Sequence, residues 1–213
     1  MHEAGHAVGR LLMAKRMGFP LHLAVHSIEV GAGPSWYNPD GARVLRSQAT
    51  CYGPAISSEL QSALKRAFPV RPTTKAEELP GLLKLAGAAT AQRVASARAK
   101  LFIIAMGPAA EARVTGRSWF EVVNDNACMA DREACRHEGR IAGFDEAQLA
   151  DEVTHARHQA EKHVEIPDVW RAIDAIAKKL KGTLTGDKVT QLAAPFLTPL
   201  LGDALLEGDP DGS

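Results

Sequence analysis

The chain opens MHEAGHAVGRLLM, and the stretch H-E-A-G-H inside it limits the fold more than any other feature. On an α-helix, residues i and i+4 stand one above the other on the same face, so His2 and His6 can grip a single ion. Neutral imidazoles suit zinc, and a catalytic zinc site takes three protein ligands plus a water. Glu3 lies about 100° around the helix from His2. Its carboxylate therefore stands beside such an ion, where a general base for a metal-activated water belongs. Two of the eight histidines falling at this spacing beside a glutamate is a coincidence expected in on the order of one such chain in fifty. The flanking residues support a helix: Ala7, Val8, Leu11, Leu12 and Met13 repeat at helical period, Arg10, Lys15 and Arg16 are polar, and Gly18 with Pro20 ends the run.

Two histidines do not complete a site, so a third ligand must come from elsewhere in the chain. A H-E-x-x-H-x-x-G-x-x-H pattern has its glycine here as Gly9, but its third histidine position is Leu12. A glutamate on a later helix, as in thermolysin-like sites, is not offered nearby, because Glu29 falls in a predicted strand. Two aspartates further on remain open, Asp125 and Asp131.

The opening HEAGHAVGRLL resembles the start of the peptidase domain of FtsH-type proteases, membrane-anchored AAA+ zinc metalloproteases. The segment MGPAAEARVTG (106–116) is similar to that family's L-G-G-R-A-A-E-E-x-x-x-G, keeping Gly107, Ala109, Ala110, Glu111 and Gly116. AIDAIAKKLKGTLTGDKV resembles its closing helix and T-L-x-G-x-x-[VL] stretch. The resemblance implies Zn²⁺ as cofactor and an aspartate at a helix start, in an N-D-x-x-x-A-type motif, as third ligand. Asp125 keeps the preceding asparagine. Asp131 has the better following helix, with Ala134, Cys135, Ile141 and Ala142 on one face and Gly143 closing it, and is the favoured ligand beside His2 and His6. Either aspartate also reads as an ordinary first-turn or N-cap acid. Glu111 reads equally as a residue orienting a histidine ligand and as a structural acid paired with Arg113. In the resembled family the first helix continues upstream of the histidines, so the expectation is that His2 is held by a turn preceding this chain's first residue.

Composition bounds the rest. Lysine plus arginine equals aspartate plus glutamate at 25 each, so no basic excess points to nucleic acid. The longest apolar run, Leu101 to Met106, is far short of the ~20 residues that cross a bilayer, so no membrane insertion is expected. Cys51, Cys128 and Cys135 form no C-x-x-C pair and an odd count suits no disulfide framework, which fits a cytoplasmic protein. The sequence has no G-x-x-x-x-G-K-[ST] phosphate loop. A lone peptidase domain of this kind acts without ATP and needs polypeptide substrates that are already unfolded or flexible.

The predicted fold class is α+β, predominantly helical: a zincin-like HExxH helix beside a small β-sheet, followed by a helical bundle, in one domain over 1–205 with a disordered acidic tail over 206–213. Strands are predicted over 21–30 and 42–51 and helices over 55–68, twice within 81–114, and over 125–142, 145–164, 168–181 and 187–194. His22 and His26, in a strand, would stand about 13 Å apart and share no metal. His155, His158 and His163 read as solvated, and His137 as a minor candidate for supporting a ligand. The rival function is a zinc-stabilised binding or scaffold module of the same fold, with little turnover.

Overall fold

The computed structural model describes residues 1–16, 21–30, 49–52 and 79–200. Helices and strands are numbered among these: α1 His2–Arg16, β1 Ser27–Val30, β2 Ala49–Tyr52, α2 Leu79–Thr115, α3 Trp119–Val123, α4 Met129–Ala142, α5 Glu146–Glu165, α6 Pro167–Lys179, β3 Thr183–Thr185 and α7 Gly186–Leu200. Short 3-10 turns occupy Leu21–Leu23 and Asn126–Cys128. The fold is thus mostly helical with one small sheet. The predicted helix over 55–68, the predicted strand's first residues and the tail over 206–213 lie outside the described residues. No helix among the described residues is long and apolar enough to cross a membrane.

The sheet has order β2-β1-β3, antiparallel throughout. Ile28 of β1 pairs with Cys51 on one side and Leu184 on the other and is fully buried. The predicted strand over 21–30 is shorter than expected, because Leu21–Leu23 coils into a 3-10 turn. His22 and His26 are both exposed. β3 was not expected; a three-residue strand carries no period of its own and exists by pairing with β1. Its exit is tight: the Gly186 amide donates to the His26 carbonyl at 2.7 Å. A Cβ on Gly186 would stand 1.8 Å from the Val25 carbonyl oxygen, so only glycine fits there.

The 81–114 stretch forms one helix rather than two. Pro108 lies inside α2 and removes the amide that would bond to the Ile104 carbonyl, at a cost of about 3 kcal/mol. Leu101, Phe102 and Met106 are each at least 97% buried on the same helix, and burial of such side chains is worth roughly 1.5–3 kcal/mol apiece. Packing outweighs the proline. Likewise α7 runs through Pro195 to Leu200 instead of stopping at 194, held by buried Val189, Ala193 and Leu197. In the other direction, α4 begins at Met129, not 125, because Asp125 caps the preceding 3-10 turn through its side chain.

One hydrophobic core runs through these elements, from Ala4 to Leu197. α1 lies at its centre against α2, α6 and α7, which is why ten of its fifteen residues are buried. Asp145 with Gln148 forms a capping box at the start of α5, and Gly143 at φ +81° closes α4. On α5, His155 and His158 are exposed as expected. His163 is not: it is half-buried, its ring meeting Phe102 edge-on at 5.0 Å and its Nδ1 donating to the Gln159 carbonyl. Burial and, more weakly, Arg16 hold its pKa below the usual value, against the opposing backbone bond. The folded state therefore takes up this proton less readily than the unfolded chain. The stability that neutral His163 contributes is complete above about pH 6.5 and is lost as pH falls through and below that value. The stability difference between the parent and His163→Leu, measured by urea unfolding across about pH 5 to 8, should therefore tilt toward the variant at the acid end. A pH-independent difference would contradict this.

Candidate metal centre

The crossing of α1 on α2 is built from small residues. A Cβ on Gly5 would stand 2.4 Å from the Met106 carbonyl oxygen, and one on Gly9 would touch the Met106 side chain at 3.0 Å. Gly107 has a more specific function: a Cβ there would lie 2.3 Å from His6 Cε1 and 2.5 Å from Nε2. The space that glycine leaves open is occupied by the His6 ring. The glycines of α1 and α2 thus interlock, and the imidazole is set between the two helices.

Three side chains from distant parts of the chain meet here. His2 Nε2–H donates to Asp131 Oδ2 at 2.8 Å, and His6 Nε2 lies 3.4 Å from Asp131 Oδ1. The two imidazoles stand edge to face, centroids 4.7 Å apart. Asp131 is in the first turn of α4, where the helix end favours a carboxylate. One donor atom each from His2, His6 and Asp131 can be chosen so that all lie within 4.8 Å of one another. Their side chains are only 19%, 10% and 17% exposed. Asp125, the competing aspartate, is 45% exposed and turned toward Arg117 at 3.4 Å.

The outer ring nitrogens are also fixed. A carbonyl can only accept, so the 2.9 Å contact from His6 Nδ1 to Ile103 O makes Nδ1 a donor and leaves Nε2 as the nitrogen that faces Asp131. Ile103 O sits beside the Ile104 carbonyl that Pro108 deprives of its amide; on the other side, Ala105 O accepts from Trp119 Nε1 at 3.3 Å. His2 Nδ1–H donates to Glu111 Oε2 at 2.8 Å. Glu111 is thus partnered with His2 and not with Arg113, which is engaged with Glu165 and the Trp170 ring. His137 is exposed on α4.

The charges respond to this geometry. Burial favours an uncharged Asp131, but the charge of His6 and hydrogen bonds from both imidazoles overcome it and hold its carboxyl far below the usual range. Burial likewise favours neutral His2, yet hydrogen bonds to Asp131, Cys128 and Glu111 raise its pKa well above the ordinary value. The bond from His2 lowers the Glu111 carboxyl. A positive charge is thus favoured between these carboxylates. Two imidazole nitrogens and a carboxylate oxygen, with both rings held from behind, are the donor chemistry of a zinc site, so the residues fit that ion.

Glu3 stands apart from the donors and belongs to neither group able to hold an ion among the described residues. It is half-buried on the side of α1 that meets β2. There burial pushes the Cys51 thiol up to about 12, with Glu3 adding to the rise and Arg10 opposing it.

Two features escaped the sequence reading. The Ile103 carbonyl is a backbone group without a sequence signature. Cys128, 1% exposed, brings its Sγ to 4.0 Å from His2 Nδ1; its only sequence signal is its place between the two rival aspartates.

Gly107→Ala tests the crossing. The added methyl must displace a ring pinned at both ends, so a loss of about 1–3 kcal/mol in stability is expected, together with weaker zinc binding. Gly182→Ala, where a Cβ meets nothing within 4 Å, is the control. Equal urea midpoints and zinc titrations for the two variants would refute the assignment.

Comparison of the chain with protein-family models, with curated proteins and with solved structures finds no match.

Proposed function

We propose that this chain is a zinc-dependent, ATP-independent endopeptidase, resembling the peptidase domain of FtsH-type proteases, that hydrolyses peptide bonds in unfolded or flexible polypeptides in the cytoplasm. The observation that carries the reading is the convergence of His2 and His6 on Asp131, with Glu3 one residue after His2 on the same helix and outside the donor set. His2 and His6 through Nε2 and Asp131 through its carboxylate would hold the ion. When bound, zinc supplies a Lewis acid for the scissile carbonyl and brings a water's pKa down to about 7. Glu3 accepts the proton of the attacking water and returns it to the amine as the C–N bond breaks. Glu111 and the Ile103 carbonyl keep the two rings in their orientations.

The test is cleavage of an unfolded casein-type substrate by the folded, zinc-loaded chain, with and without a chelator. Chelator-sensitive cleavage by a protein holding about one zinc per chain is the expected result. Zinc without cleavage would leave the scaffold reading, in which the ion only ties α1 to α4. No zinc at all would remove both.

A further inference from the structure

His2 faces a different set of donors on each ring nitrogen. Asp131 and His6 stand on the Nε2 side. On the Nδ1 side stand Glu111 Oε2 at 2.8 Å and Cys128 Sγ at 4.0 Å. One donor atom each from His2, Glu111 and Cys128 can be chosen so that all three lie within 4.8 Å of one another. Orienting His2 needs only the carboxylate; a buried, disulfide-free thiol at the same nitrogen adds nothing to that task. Imidazole, thiolate and carboxylate together suit borderline and soft divalent ions, not magnesium or calcium.

We infer that His2 Nδ1, Glu111 and Cys128 form a second, alternative position for a thiophilic divalent cation, back to back with the first across the His2 ring. The inference rests on the proposed reading of His2 as a metal ligand. A neutral imidazole offers a lone pair on one ring nitrogen at a time, so the two positions exclude each other. When an ion takes Nδ1, the proton on that nitrogen and the Cys128 proton pass to solvent, while Nε2–H stays donated to Asp131. The first position then lacks His2. The softness of the ion decides between the two: zinc takes the nitrogen and oxygen set, and a softer ion takes the set containing sulfur.

Cadmium is the probe, because thiolate coordination gives an ultraviolet charge-transfer band that nitrogen and oxygen ligands do not. The band should appear with about one equivalent in the parent chain and persist in Asp131→Asn, which lacks the carboxylate of the first position. It should vanish in Cys128→Ser, and cadmium affinity should fall about tenfold or more in Glu111→Gln. Cys135→Ser, with Cys51 left in place, should keep it. Circular dichroism of each variant checks folding; if Cys128→Ser fails to fold, Glu111→Gln and blocking of the parent's band by prior alkylation of Cys128 decide. A chain that binds zinc but gives no Cys128-dependent cadmium band overturns this inference and leaves the zinc reading standing. A Cys128-dependent band in a chain that binds no zinc overturns the zinc reading instead. A band that survives in Cys128→Ser places the thiolate elsewhere and also overturns the inference.

Discussion

Glu3→Gln is expected to keep about one zinc per chain and to lower kcat/KM on unfolded substrate by on the order of 10²–10⁴-fold, the usual contribution of a positioned general base. The first half follows from the geometry and the second from the proposed role of Glu3 as general base. Glu3 is outside the donor group of His2, His6 and Asp131, so the amide leaves the metal's ligands untouched. Glutamine is nearly isosteric and cannot accept the proton. Elemental analysis and initial rates on the same sample measure the two halves together. Undiminished proteolysis would mean that another group is the base, and loss of the ion would mean that Glu3 belongs among the ligands.

Asp131→Asn and Asp125→Asn separate the two aspartates that the sequence left in competition. Asp131 bridges both imidazoles at low exposure, so its replacement should weaken zinc by more than about 100-fold, beyond what losing an orienting partner costs. Asp125 caps a 3-10 turn and lies near Arg117 at the surface. Asparagine caps a helix as well as aspartate does, and an exposed ion pair contributes only about 0–1 kcal/mol. Asp125→Asn should therefore leave zinc affinity and stability nearly unchanged. A competitive chelator titration decides; equal affinities in the two variants would remove Asp131 from the site.

The histidine pair was legible in the sequence because helical period fixes the relation of i to i+4 without help from tertiary structure. Asp131 was only half legible. The helix after it is readable, but which of two aspartates turns inward depends on where α4 starts, and that is set by the Asp125 cap and by Arg132 reaching the Val123 and Asp125 carbonyls. The role of Gly107 was hidden for a different reason. Its spacing was noted as part of a resemblance, whereas its physical task, leaving room for the His6 ring, exists only once α1 and α2 have crossed and brought together residues 97 positions apart. The two overlong helices α2 and α7 show the converse error. Each runs through a proline, Pro108 or Pro195, because tertiary burial overrides local preference, and β3 was missed because its order is lent entirely by a neighbour.

The contact between His2 and Asp131 spans 129 residues of chain. A chain synthesised only as far as α2 already carries both imidazoles and Glu3, but not the Asp131 carboxylate that completes the set. Such an intermediate is itself an unfolded polypeptide, the very material that the finished molecule would cut. Dividing the donors between the start of α1 and the first turn of α4 means that the set closes only once the chain between them has been made and folded. If the proposed activity holds, that long-range closure would act as a timer, keeping growing copies inert toward one another while they are most vulnerable.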